Sequence, residues 1–361
     1  MSQGKCSISK FKIILLVKCL LSGGLSFSQQ ASLTGKILNK NTQQAVPFAT
    51  IFLASTTFGV SATEDGHYQI ANIPKGKYDV IVSCVGYENA FTSIEFLTEP
   101  LQYTFHLTPK ALDLKEVVVD GTQNPKHFQQ FIKIFLGTTP NARHCEIENP
   151  EALYLTYDNV KKTLVAETTE PLVITNRALG YRIHYLLDEF LLDENVGTFR
   201  VFGIPRFEDL PFKNARQRRK WTEARNEAYY GSLNHLMRSL VKREARKNNF
   251  SVQTFRKHTP INPDTLFSVE NPYVLNYKGK LEVVYEGEKE KKEFRNVVTP
   301  PGLSAMPRPV QTSIISFTAE SLLLYDNGYF EDQKTLMLDG YLAWSESIAE
   351  LVPLGYEPIE K

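Results

Sequence analysis

Between Ala31 and Leu107, short β-prone runs alternate with turn residues at intervals of about 8 to 12 residues, a spacing that leaves room for little except a small β architecture. The most regular run places Tyr78, Val80, Val82 and Cys84 on one side and Asp79, Ile81 and Ser83 on the other. Residues 33–38 and 48–53 read as two earlier strands, the second with Ala49, Ile51 and Leu53 on one face. Asn39-Lys40-Asn41, Asp65-Gly66 and Pro74-Lys75-Gly76 punctuate them, because Asp and Asn bond to nearby backbone and Gly tolerates positive φ. Further strands are expected over residues 91–96 and 103–107. Such a series predicts a β-sandwich.

The details of this segment resemble a known family. Gly35-Lys36-Ile37, Pro47-Phe48-Ala49-Thr50-Ile51, Thr63-Glu64-Asp65-Gly66-His67-Tyr68, Ile73-Pro74-Lys75-Gly76-Lys77-Tyr78 and Val85-Gly86-Tyr87-Glu88 carry the likeness. The segment is similar to the carboxypeptidase-regulatory-like domain, a transthyretin-like β-sandwich at the start of many exported Bacteroidetes proteins. Leu114-Lys115-Glu116-Val117-Val118-Val119 likewise resembles the exit from that domain in outer-membrane receptors. The resemblance implies a seven-stranded sandwich and no peptidase, since the peptidase chemistry belongs to a separate zinc domain. His67, His106, His127, His144, His184, His235 and His258 are scattered singly, with no His-Glu-x-x-His, His-x-x-x-His or His-x-x-Glu pattern.

Residues 1–28 have the parts of a secretory signal: Lys5, Lys10 and Lys12, an apolar stretch over residues 14–21 interrupted by Lys18, and Ser26-Phe27-Ser28 before an expected cleavage at Gln29. The stretch is too short to span a bilayer. The mature chain is therefore expected to lack a transmembrane segment and to work in the periplasm, at the outer membrane or on the cell surface. Removing the signal takes away four lysines and no acid, which turns the net charge from +1 to −3 and leaves no global attraction for nucleic acid. Cys84 and Cys145 remain. An oxidising compartment allows them to pair, whereas the inward parity of Cys84 favours a buried thiol.

Beyond the sandwich, Phe128, Phe131, Ile132 and Phe135 recur at helical spacing, with Gly137 as a stop. Residues 154–157, 163–168, 172–176 and 181–199 have strand composition, although residues 186–192 fit a helical turn equally well. His144-Cys145 does not read as a base and nucleophile, because neighbours on an extended strand point to opposite faces. The domains expected are a signal peptide over 1–28, the sandwich over 31–108, a linker with a short helix over 109–140, and an α+β or mostly-β region over 141–361. The fold class is mainly β with a helical segment.

That helical segment is strongly basic. Between Lys213 and Lys247 there are eleven Lys or Arg and three acids, Glu223, Glu227 and Glu244. Trp221, Arg225 and Tyr229 stand four apart along one side, and Leu233, Leu236, Met237 and Leu240 form an apolar stripe that includes the neighbourhood of His235. The segment reads as one long helix or as two helices abutting at Gly231-Ser232. Residues 221–240, together with Phe135-Leu136-Gly137 and Leu179-Gly180-Tyr181, resemble a group of Bacteroidetes proteins that carry the same N-terminal domain and offer no activity to transfer. Residues 265–360 return to β composition, with strands expected over 280–285, 313–317 and 321–325, a turn at Asn327-Gly328, and a solvated charged loop over 286–293.

The favoured reading is an exported envelope structural or interaction protein without catalytic activity and without a cofactor. Its partner would be an envelope protein or an acidic or glycan surface, with peripheral membrane contact as a further option. The candidate partner-binding residues are Arg218, Arg219, Lys220, Trp221, Arg225 and Tyr229. A peptide or glycan hydrolase is one alternative, with Asp188, Glu189, Asp193 and Glu194 as the available carboxylates. A carbohydrate-binding surface protein is the other, with Trp221, Tyr229, Tyr230 and Trp344 as platforms.

Overall fold

The computed structural model describes residues 31–110, 124–268, 270, 272–275, 277–298 and 306–359. The signal read over residues 1–28 and the segment 114–119 lie outside them. Strands outweigh helices, but helices occur in both later regions, so the fold is mixed α and β rather than mainly β with one helical segment.

The N-terminal region has eight strands: β1 (Ala31–Asn39), β2 (Thr50–Leu53), β3 (Gly59–Ser61), β4 (His67–Ile73), β5 (Gly76–Ser83), β6 (Ala90–Phe96), β7 (Leu101–Gln102) and β8 (Phe105–Leu107). They form two four-stranded sheets, β4-β1-β7 with β8 also on β1, and β3-β2-β5-β6. Leu33, Ile37 and Ile70 from the first sheet and Ile51, Leu53, Val80 and Val82 from the second share one core. The inward alternation read from the sequence therefore holds, with Cys84 just past the end of β5 and only half-buried. Both Cys84 and Cys145 are free.

Phe52 and Ile81 point to the opposite face of their strands and are nevertheless buried. The Arg206 guanidinium lies over the Phe52 ring, at 6.0 Å. Nearby, Ser55 N–H donates to Pro205 O (2.7 Å), Phe207 N–H to Thr56 O (2.9 Å) and Leu354 N–H to Ser55 O (2.7 Å). Asn327 Nδ2 donates to Lys77 O (2.7 Å), and the Tyr329 hydroxyl to Asp79 (2.9 Å). The N-terminal region is thus docked onto the rest of the chain by backbone and side-chain hydrogen bonds.

Helix α1 (Pro125–Phe135) is capped by the Asn124 side chain and buries Phe131 and Phe135. Those rings meet Phe190 and Tyr185 on a six-stranded sheet: β9 (Cys145–Ile147), β10 (Leu153–Asp158), β11 (Thr163–Thr168), β12 (Leu172–Asn176), β13 (Tyr181–Asp193) and β14 (Thr198–Asp209). Strands β13 and β14 form one long hairpin, with a bulge that leaves Asp188 without a partner between Leu187 and Glu189. The bulge switches the buried parity from Tyr181, Ile183 and Tyr185 to Phe190.

Two helices follow, α2 (Ala215–Tyr229) and α3 (Leu233–Val241). A second sheet, β16-β15-β18-β19-β21, receives the apolar face of α3: β15 (Phe250–Thr254), β16 (Pro260–Ile261), β18 (Lys280–Tyr285), β19 (Gln311–Phe317) and β21 (Leu336–Gly340). Strands β17 (Tyr273–Leu275) and β20 (Leu322–Leu324) pair beside it, and helices α4 (Lys292–Val298) and α5 (Tyr341–Ser345) complete the region. Among the described residues beyond the N-terminal region there are two hydrophobic cores, one shared with α1 and one under α3. The charged stretch expected as a solvated loop instead runs into α4 and carries Glu290, which is 2% exposed. Its carboxylate is tolerated there because Arg295 lies 3.5 Å away and Arg308 N–H donates to it.

Candidate functional site

Helix α2 begins where Asn214 accepts from Gln217 N–H (2.9 Å) and the Gln217 side chain accepts from Lys213 N–H (2.7 Å), a reciprocal cap. It ends at Gly231, whose φ of +80° turns the chain into α3, where Ser232 accepts from His235 N–H (3.2 Å). The basic segment is therefore two abutting helices. His235 is a packed core residue. Burial, assisted by nearby Arg238, lowers its pKa to about 4, and its Nδ1 accepts from Gly231 N–H.

The six candidate residues separate onto two sides of α2. Trp221, Arg225 and Tyr229 face inward. The Trp221 ring lies against Gly180 (φ +72°), where a Cβ would come within 2.2 Å of it, and its Nε1 donates to Arg177 O (2.9 Å). Arg225 donates from Nε to Leu179 O (2.6 Å) and from Nη2 to Gly180 O (2.9 Å) and Asp209 (2.8 Å), while its guanidinium lies 3.8 Å from the Tyr181 ring. A planar fork is needed to reach all of these at once. Tyr229 is buried against Tyr356, Tyr230 and His235. The Leu179-Gly180-Tyr181 corner is thus the seat of the helix. The C-terminal segment adds a second hold, through Asn226 Nδ2 to Ile359 O (2.8 Å) and the Tyr356 hydroxyl to Asn226 (2.6 Å).

Arg218, Arg219 and Lys220 are exposed, as are Lys213 and Arg216. Arg219 lies 3.7 Å from Glu223 with both side chains largely in solvent, a pair worth little. Arg218 lies 5.5 Å from the ring of Phe212, itself 52% exposed. The outer face of α2 is therefore a cationic strip with an aromatic edge.

The other candidates do not assemble into one site. Asp188 pairs with Lys334, and Glu189 with Arg200 (2.7 Å). Asp193 accepts backbone N–H groups at the β13–β14 turn, and Glu194 accepts from Tyr157 (2.5 Å) and Gln130 (2.6 Å), which hold its carboxyl below the usual range. These carboxylates are satisfied by separate partners at exposed or half-exposed positions. Tyr229 and Tyr230 meet at 71°, and Trp344 is tilted against Tyr341 and Phe294 while its Nε1 donates to Thr138 (2.9 Å), so these rings offer no coplanar pair. Cys145 Sγ donates to Asn141 O (3.6 Å); burial, with Glu350 nearby, pushes the thiol up to about 12, unlike a nucleophile.

A polar cleft at the C-terminal end of α2 was not signalled by the basic run. It holds about 20 Å³, room for one water-sized group, and is lined among others by Glu227, Glu288, Lys291, Gln311, Tyr341 and Glu350. Lys291 Nζ lies 2.8 Å from Glu227. Burial and the charge of Glu227 raise the Glu288 carboxyl, and burial raises that of Glu350 against the pull of Lys291. Beside Glu350, Glu346 accepts from Leu233 N–H (2.6 Å); burial pushes it up to about 7. A single acid inside the apolar run Ile348-Ala349-Glu350-Leu351-Val352 was the available sequence signal.

Residues 33–119 match a family, the CarboxypepD_reg-like domain. The N-terminal module is of this type. No curated protein matches the chain. Among solved structures it is similar to a mercury-inhibited catechol 1,2-dioxygenase from Acinetobacter sp. (13% identity over 27% of this chain, TM-score 0.21), of whose length it spans only 58%. It is also similar to a type II cohesin–X-dockerin complex from Acetivibrio cellulolyticus (16% identity, 31% of this chain and 79% of that one, TM-score 0.21). A third is a DUF3823 family protein from Bacteroides uniformis (13% identity, 50% of this chain and 99% of that one, TM-score 0.18). At these TM-scores the likenesses bear neither on the fold of the whole chain nor on its function. Among the described residues no helix is long and apolar enough to cross a membrane, and no group of three or more His, Cys, Asp or Glu could hold a metal ion.

Proposed function

We propose that the chain is an exported, non-catalytic interaction protein of the cell envelope, with the outer face of α2 as the surface that captures an acidic partner. One observation carries this reading. The helix commits Trp221, Arg225 and Tyr229 to its seat and leaves Arg216, Arg218, Arg219 and Lys220 in solvent with Glu223 as their near counter-charge. A clamped helix presents such charges without the ordering cost a flexible tail would bear, and a cationic strip speeds encounter with an acidic surface. The signal over residues 1–28 supports the envelope placement, periplasmic or at the outer membrane. In this reading residues 31–108 are a transthyretin-like docking module, residues 109–140 a linker with α1, and residues 141–361 the region that carries specificity.

Capture from a native envelope extract tests the assignment. Arg218→Glu, Arg219→Glu and Lys220→Glu combined should reduce recovery of the bound partner at least about tenfold, equivalent to ~1.4 kcal/mol. The unfolding midpoint should hardly move, because exposed substitutions stay within about 0.5 kcal/mol. Undiminished capture would remove the strip from the partner surface.

A further inference from the structure

We propose that the cleft between the end of α2 and the Glu288–Lys291 segment binds a primary ammonium group, with Glu350 as its main acceptor and the rings of Tyr341 and Trp344 as its wall. The site is separate from the basic strip and does not depend on it.

The argument starts from Glu350. Its residue is 7% exposed and lines the cleft; Oε2 accepts from Asn141 Nδ2 (2.9 Å) and the Thr139 side chain stands beside the carboxyl, but Oε1 is buried with no well-formed hydrogen bond. A buried carboxylate oxygen left without a donor costs more than about 1–3 kcal/mol, so a donor reaching it from the cleft is strongly favoured. The space beside it fits one water-sized group, and an ammonium head has that size.

Charge decides the kind of donor. Glu227, Glu288 and Glu350 line the cleft, and Glu346 stands beside Glu350. The single lining cation, Lys291, lies 2.8 Å from Glu227 and also acts on Glu288 and Glu350, so the acids outnumber it. The carboxyls of Glu288, Glu346 and Glu350 are all raised, chiefly by burial and in part by one another or by Glu227. An entering cation relieves that repulsion, whereas an anion would add to it. Tyr230, Tyr341 and Trp344 supply ring surface for a cation, and Gln311, Ser232 and Ser345 supply neutral oxygens. The carboxylates do not converge as a metal cage would require among the described residues. Spread acceptors suit an ammonium instead, whose three N–H donors point in different directions.

The same group is presented by a free alkylamine and by a lysine side chain, and the two sources need separate arms. The mature full-length protein would be titrated with butylamine, with Nα-acetyl-lysine amide, and with tetramethylammonium, which carries the charge without N–H donors. Calorimetry in buffers of different ionisation heat reads both affinity and protons exchanged. Butylamine should bind with release of protons at acidic pH, because the raised carboxyls ionise as the cation enters. Tighter binding of the lysine derivative identifies a peptide source, and equal binding identifies a site for the bare ammonium. Glu350→Gln should weaken either ligand at least about tenfold. No binding of either amine at millimolar concentration, or equal binding of tetramethylammonium, would overturn the proposal. The ligand comparison needs no variant and so stands even if Glu350→Gln folds poorly.

Discussion

Trp221→Ala should lower the unfolding free energy by about 3–5 kcal/mol, the range for removing a large buried aromatic ring. The ring lies against the backbone of Gly180, which has no side chain to swing into the space, and its departure also leaves Arg177 O without the indole N–H. Helix α2 would then depend on Arg225 and Tyr229 to stay on the Leu179-Gly180-Tyr181 corner. Urea unfolding of the variant beside Arg219→Ala provides the comparison, and the second should cost less than about 0.5 kcal/mol. A small loss for Trp221→Ala, comparable to that of Arg219→Ala, would mean that the inward side of α2 is not what seats it.

The second large effect is a pH dependence centred on Glu346. Its carboxyl is enclosed beside Glu350 and pushed up to about 7 from an ordinary value of 4.5. Below the ordinary value the group is neutral folded and unfolded, so it imposes no penalty. Between the two values the folded state holds a proton that the unfolded state has lost, and stability falls as pH rises. Above the folded value the ionised group costs roughly 3 kcal/mol, because each tenfold rise in proton affinity is worth ~1.4 kcal/mol. Glu346→Gln should therefore stabilise the protein by about 2 kcal/mol at pH ~8 and by much less at pH ~5, since its amide oxygen can still accept from Leu233 N–H. Glu288 and Glu350 shift in the same direction, so the variant should flatten the profile without levelling it. Equal effects of Glu346→Gln at both pH values would contradict this.

Much of the β architecture was legible because local alternation agreed with burial. Strands β11 and β12 fall where composition placed them, and Gly137 stops α1 as its φ of +92° requires. Residues 186–192 were ambiguous for a physical reason. The bulge at Asp188 inserts one residue into β13 and changes which parity is buried, so no single period of two runs through the strand. Phe52 and Ile81 read as outward-facing, and they are buried because another part of the chain covers that face, which no local pattern can show.

The two sides of α2 were only partly legible. Spacing put Trp221, Arg225 and Tyr229 on one side, but exposed recognition and burial against a corner share that periodicity. The discriminating partner, Gly180, lies more than a strand away in sequence and is the residue that admits the indole. The cleft was less legible still. Glu288 and Lys291 sit in a charged run that reads as solvated, and the chain brings Glu227 and Glu350 to them from distant elements.

The most direct test of the proposed function is photo-crosslinking in the native envelope. A photoreactive residue would replace Arg219 on α2 or, as control, Val160, which is 91% exposed. Val160 lies near the Thr163–Asp193 end of the sheet, roughly 40 Å from the Tyr181 end where α2 sits, at about 3.3 Å for each residue of β13. A discrete partner crosslinked from position 219 and absent from position 160 is the result expected. Partners crosslinked equally from both positions, or from position 160 alone, would contradict an interaction surface on α2.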